Sequence, residues 1–166
     1  MVTAATIRTL REQTGAGILD CKQALEASGG DMAKAAEALR KKGFAQVAKR
    51  ASNATSQGLV EAYIHTGGRV GALVELGCET DFVARTAEFR DLAHNLAMQV
   101  AAMSPAYVDE SQVAGDDQRP RSQTILLNQP FIKDSSRTVS DIVQELAAKV
   151  GENVRIIRFS RLALGE

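Results

Sequence analysis

Tryptophan is absent from this 166-residue sequence, and cysteine, histidine and proline are scarce, at two, two and three residues. Cys21 and Cys78 are too few for a disulfide framework, and two free thiols suit a reducing cytoplasm. His65 and His94 come with no carboxylate or cysteine cluster at ligand spacing, so no metal site is expected, and no cofactor motif is present. Neither the thiols nor the imidazoles stand in the context of a nucleophile–base pair, so the chain does not read as an enzyme. No apolar run approaches the ~20 residues of a membrane span. The N-terminal stretch Met1-Val2-Thr3-Ala4-Ala5-Thr6-Ile7-Arg8 has no apolar core of the kind a signal peptide carries. An excess of one charge is missing too: 20 basic and 20 acidic residues cancel. That argues against direct nucleic-acid binding, which usually rests on a basic surplus. What remains is an ordinary globular balance, 45% apolar and 24% charged, enough for one domain, or one domain plus a small module.

Residues 1–52 read as a small helical module. Thr3 is placed to cap a first helix carrying Ile7 and Leu10, and Thr14-Gly15-Ala16-Gly17 breaks it. A second helix spans about Ile18 to Ala27 with Leu19, Ala24 and Leu25 inward, and Ser28-Gly29-Gly30 stops it. Asp31 caps a third, whose stripe is Met32, Ala35, Ala36 and Leu39 and whose expected end is Gly43. Helices this short need tertiary packing to persist in water. Gly15-Ala16-Gly17 is not a nucleotide loop, because no strand precedes it and no Gly-Lys-Ser/Thr follows. A helix-turn-helix reader is poorly served by Lys22 and Gln23 alone. The basic run Arg40, Lys41, Lys42, Lys49 and Arg50 fits a solvated helix end. Residues 53–58 are small and polar, and read as a linker.

Residues 59–166 read as an α+β core. Leu59-Val60-Glu61-Ala62-Tyr63-Ile64-His65 alternates as a strand, with Val60, Ala62 and Ile64 expected on the buried face. Thr66-Gly67-Gly68 is a tight turn, and Val70–Leu76 returns. From Thr86 to Met103, Phe89, Leu92, Ala93, Leu96, Val100 and Met103 recur at helical spacing. Residues 109–122 are polar and are expected to form an irregular, mobile loop, followed by a short strand at Thr124–Leu127. Thr138 caps a last helix with Val139, Ile142, Val143, Leu146 and Val150 inward. Val154–Leu164 closes the chain as a strand whose Arg155, Arg158 and Arg161 blunt a sheet edge. The expected architecture is a three-helix N-terminal module followed by a core with a three-stranded antiparallel sheet packed against helices.

Thr80-Asp81-Phe82 falls where the strand hands over to the long helix, a common place for functional loops. Two readings stand. Phe82 staples the helix to the sheet while Thr80 or Asp81 caps it. Alternatively Phe82 projects as an apolar knob beside a charge, to be buried in a partner for roughly 1.5–3 kcal/mol.

The run Cys78-Glu79-Thr80-Asp81-Phe82-Val83-Ala84-Arg85 resembles the signature of the translation elongation factor Ts family, nucleotide-exchange factors of elongation factor Tu. Three further blocks agree in order: Leu10 to Leu25, Gln129-Pro130-Phe131-Ile132-Lys133-Asp134, and Gly151 to Phe159. The resemblance implies a ubiquitin-associated-like N-terminal module and guanine-nucleotide exchange without covalent chemistry. It implies that Thr80, Asp81, Phe82 and Val83 meet elongation factor Tu, with Phe82 as the knob and Asp81 helping to displace the loop that supports Mg²⁺. Leu10, Ile18 and Leu19 correspond to apolar residues that touch the partner's nucleotide-binding domain, against a core role for at least some of them. Tyr63 and His65 match a pattern that contacts the GTPase in longer, two-core members. Short members pair through their core sheets, so a homodimer is implied. The chain departs from the family in a shortened segment before the Gln-Pro-Phe block, at roughly residues 108–127. An enzyme built on Cys78, or an N-terminal bundle binding a ubiquitin-like or nascent-chain partner, are the alternatives.

Overall fold

The structure is a computed structural model that describes residues 2–166. The chain divides into two units: residues through Ser52 with Ala147–Glu152, and Asn53–Leu146 with Asn153–Glu166.

In the first unit, helix α1 (Ala4–Thr14) opens with a capping box between Thr3 and Thr6 and closes at Gly15, whose φ of 69° is left-handed. Helix α2 spans Ile18–Ala27 and α3 spans Met32–Arg50, the latter capped by Asp31 accepting from the Lys34 N–H at 3.0 Å. Leu10, Cys21, Leu25 and Ala35 are fully buried together, with Leu39 beside them. Two expectations change. Leu19 does not face inward; it is 73% exposed. Nor does α3 stop at Gly43. A Cβ at Gly43 would meet the Ala148 Cβ at 2.8 Å. The glycine is there for close approach, and its roughly 1 kcal/mol helix penalty is outweighed by packing along 19 residues.

The second unit is built on the antiparallel sheet β1-β2-β5. Strand β1 (Gln57–Ile64) pairs with β2 (Val70–Cys78), which pairs in turn with β5 (Arg155–Ala163). A one-turn helix α4 (Asp81–Ala84) follows β2 and leads into α5 (Ala87–Met103), which lies on the sheet. Phe89, Leu92, Ala93, Leu96 and Val100 of α5 bury against Ala72, Val74, Leu76 and Ile156. Arg161 on β5 donates to the Ala101 carbonyl at 3.0 Å, and Arg158 pairs with Glu75 at 2.6 Å.

Strand β1 presents the opposite face from the one expected. Val60, Ala62 and Ile64 are exposed, while Leu59, Glu61 and Tyr63 are half-buried on the α5 side. Alternation fixes which residues share a face, but not which face turns inward. Partners on α5 decide it: the Glu61 carboxylate lies 3.1 Å from His94 Nδ1, and the Tyr63 ring meets the His94 ring edge-on at 5.8 Å.

The middle segment is more ordered than its composition suggests. It contains a 3₁₀ turn at Glu110–Gln112, helix α6 (Arg121–Thr124), and a second 3₁₀ turn at Leu126–Asn128. The expected strand at Thr124–Leu127 is reduced to one parallel bridge between Ile125 and Tyr107. A small sheet follows, β3 (Pro130–Phe131) with β4 (Asp134–Thr138). Ile125 and Leu126 are fully buried, as are the amides of Gln99 and Gln129. Gln99 Nε2 donates to Gln129 Oε1 at 3.0 Å and to the Pro130 carbonyl at 3.1 Å; its Oε1 accepts from the Ile132 N–H at 2.7 Å. Helix α7 (Val139–Val150) starts on a reciprocal cap between Thr138 and Asp141.

Candidate functional site

The connection from β2 to α5 is held backbone first. Thr80 is extended, at φ −124° and ψ 155°, and its hydroxyl receives the Val83 N–H. Its carbonyl accepts from Cys78 Sγ at 3.1 Å. Thr86 ends the turn, donating its hydroxyl to the Val83 carbonyl at 2.8 Å and capping α5 through the Phe89 N–H at 3.3 Å. Asp81 pairs with Arg85 at 2.8 Å on the surface. Val83 and Ala84 turn inward and anchor the turn at 9% and 8% exposure.

Phe82 does the reverse: it is 80% exposed. The staple role therefore belongs to Val83 and Ala84, and the phenyl ring stands in water beside the Asp81–Arg85 pair. Leaving a ring outside forgoes roughly 1.5–3 kcal/mol that burial would contribute. Val83, expected among the partner-facing residues, is instead a buried foot of the turn.

In the first unit, Ile18 and Leu19 open α2 at 57% and 73% exposure. They form an apolar pair flanked by Asp20, which is ion-paired to Lys42 at 2.7 Å. Leu10 is not part of that surface. It is sealed at 0% exposure between Cys21 and Leu25, because α1 turns that side into the three-helix core. Leu10 belongs to the buried core of this unit and offers nothing to a visitor.

At the far end of β1, the Tyr63 hydroxyl lies 3.0 Å from His65 Nδ1, and His65 is exposed. The sheet face away from α5 is uncovered; it carries the Glu75–Arg158 pair and Ser160, and is apolar toward its Gly71 end. Across it Ala62 neighbours Leu73, and Ile64 neighbours Gly71, opposite Leu162. A Cβ at Gly71 would meet Ile64 Cδ1 at 2.5 Å, so the glycine lets Ile64 lie flat. Ile64, Leu73, Leu162 and Leu164 are 49–78% exposed and line a groove of about 570 Å³. Periodicity missed this surface because it placed Val60 and Ile64 inside.

Cys78 is fully buried, with its thiol turned to the Thr80 carbonyl. Among the described residues, no group of three or more histidine, cysteine or carboxylate side chains is arranged to hold a metal ion. No helix there is long and apolar enough to cross a membrane.

The family profile for Elongation factor TS matches residues 22–118. Elongation factor Ts of Moorella thermoacetica is 48% identical over 196 aligned positions, covering 100% of this chain and 97% of the relative. The chain belongs to the elongation factor Ts family. Elongation factor Ts of Thermotoga petrophila is 47% identical across 96% of this chain and 94% of its own length. That of Carboxydothermus hydrogenoformans is 45% identical across 100% and 90%. Membership implies a guanine-nucleotide exchange role on elongation factor Tu in translation elongation. An alignment of 196 positions against 166 residues also means that the Moorella elongation factor Ts carries residues this chain lacks.

Proposed function

We propose that this chain releases GDP from elongation factor Tu by offering Phe82 to a pocket formed when the Mg²⁺ and phosphate region of the GTPase rearranges. The observation that carries the reading is a phenyl ring 80% exposed on a turn whose neighbours Val83 and Ala84 are buried. The chemistry is linkage. A factor that binds the nucleotide-free GTPase more tightly than the GDP form weakens GDP by the same factor. Phe82 supplies that difference if its pocket is absent from the GDP form. Burying one ring is worth roughly tenfold to a hundredfold in affinity. Asp81 enters beside it and disturbs the loop supporting Mg²⁺, and Thr80 sets the angle of the turn. No covalent step is involved, and the setting is the cytoplasm, with no nucleic acid or membrane as a direct partner.

Residues 1–52 act as a ubiquitin-associated-like module that grips the nucleotide-binding domain through Ile18 and Leu19. Residues 53–58 link it to the 59–166 core. The core pairs with a second copy through the uncovered sheet face around Leu73 and Leu162. In that dimer one protomer presents Asp81-Phe82 while the other presents Tyr63 and His65 to the same GTPase. What supports the pairing is the apolar end of that sheet face, left open to water in the single chain.

The test is release of fluorescent GDP from elongation factor Tu. Phe82→Ala, with unaltered folding, should slow stimulated release by at least tenfold; release at the wild-type rate refutes the reading. A 1:1 complex with full exchange activity, seen by light scattering, refutes the dimeric arrangement.

A further inference from the structure

A single helical turn does not hold itself. Four residues cannot offset the cost of nucleating a helix, yet Phe82 has to stand at a fixed angle on such a turn. Its immediate supports are local: the Thr80 cap, the Cys78 thiol on the Thr80 carbonyl, and the Thr86 hydroxyl. A further support is not local. The Glu79 carboxylate accepts from the Asn153 backbone N–H at 2.6 Å through Oε1 and from the Asn53 side-chain amide at 2.9 Å through Oε2. The Asn153 side chain then donates to the Asn53 carbonyl at 2.9 Å. Three chain segments, 26 and 74 residues distant from Glu79 in one direction or the other and 100 from each other, thus close into a ring of hydrogen bonds. Asn153 is 4% exposed. Asn53 and Asn153 are also the residues at which the chain re-enters the second unit.

We propose that Glu79 is a positioning residue for nucleotide exchange: its carboxylate fixes the end of β2 to both chain crossings and so sets the pose of Asp81 and Phe82. The proposal rests on the exchange reading above. The chemistry asks for a carboxylate. The Asn53 amide and the Asn153 N–H are both donors, and each is received by a different Glu79 oxygen; bonds to an ionised acceptor are the stronger kind. A glutamine of the same shape has one oxygen and one NH₂. Either the Asn53 amide or the Asn153 N–H would then face another donor, and the ring would open on that side. Thr80 and Phe82 lie one and three residues further along, so a loosened Glu79 is felt first at the turn.

The test is a double-mutant cycle in the full chain, read by release of fluorescent GDP from elongation factor Tu at saturating factor. Glu79→Gln should slow stimulated release about tenfold. Added to Phe82→Ala, it should change release by less than about twofold, because the residue it positions is gone. Hydrogen exchange on the isolated factor is the second readout. Backbone amides of residues 80–86 should exchange about tenfold faster in Glu79→Gln, while those of 70–76 keep the wild-type rate. Should Glu79→Gln fail to fold, Asn53→Ala removes one arm of the ring at a half-buried position, and a loss of about threefold in the same cycle is expected. Wild-type release by Glu79→Gln, an equal loss in both backgrounds, or unchanged exchange at 80–86 each overturns the positioning role and leaves Phe82 its own. A Phe82→Ala variant with full activity overturns the exchange reading and the positioning role with it.

Discussion

Replacing Gln99 by leucine tests how the irregular middle of the chain is held. The side chain is fully buried in α5 and serves three groups, the Gln129 amide oxygen, the Pro130 carbonyl and the Ile132 N–H. Leucine is one bond shorter but of similar bulk, and it removes every one of those bonds. Pro130 and Ile132 lie at exposed positions, so their backbone groups regain water at modest cost. Gln129 is 1% exposed, and its oxygen stays dry and without a donor. One stranded buried acceptor and two partly rehydrated groups together come to about 2–4 kcal/mol, after leucine's favourable burial is set against them. A domain of this size loses roughly 5–15 °C in Tm for that change. Differential scanning calorimetry reads it directly, and GDP release per folded molecule at 25 °C should hold, because Phe82 and Glu79 are untouched. A Tm within about 1 °C of wild type would show that the amide network contributes no net stability, and the account of the middle segment would fall.

The first unit separates two kinds of leucine. Leu10→Ala should cost about 2–5 kcal/mol of stability in thermal unfolding, whereas Leu19→Ala should leave Tm nearly unchanged and weaken binding to elongation factor Tu in a titration; the reverse pattern would contradict the burial described. Acid should loosen the middle segment. Asp134 is held below its ordinary 3.8 by the Ser136 hydroxyl and then by Arg137. The Arg119 guanidinium, and then its backbone N–H, hold Asp117 well below the same value. A depressed carboxyl stabilises fully above 3.8 and is lost as pH falls through its folded value, so urea midpoints should be flat above about pH 4 and drop below it. A midpoint that is unchanged down to about pH 2.5 would show that neither pair is linked to folding.

How much of this was legible depends on whether the cause is local. The β1–β2 hairpin and α5 follow from alternation and helical spacing, and both are where the pattern puts them. The facing of β1 is not local, because Val60 and Leu59 are equally apolar and the choice is made by His94, 33 residues beyond Glu61. Gly43 carries the opposite lesson: glycine in a helical run signals a stop unless a neighbour needs the space, and Ala148 lies far away in sequence. The middle segment is held by side-chain amides bonding to backbone, which leaves no period to read. For Phe82, residue types alone favoured a staple over a knob. The surrounding motif favoured the knob, and burial of its neighbours accounts for why the ring is free. Glu79 gave no signal of its own role, since the Asn53 and Asn153 donors arrive from distant segments.

The first unit is discontinuous: its three helices are complete by Arg50, but it also includes Ala147–Glu152. The surfaces that Gly15 and Gly43 keep clear are filled by Lys149 and Ala148. A ribosome adding about 5–20 residues per second needs on the order of five to twenty seconds to travel from one piece to the other. During synthesis the N-terminal bundle therefore waits with a vacant slot, and its final turn is inserted only once Ala147–Glu152 have been made. A stall anywhere in that interval leaves a nascent bundle whose notch is still open.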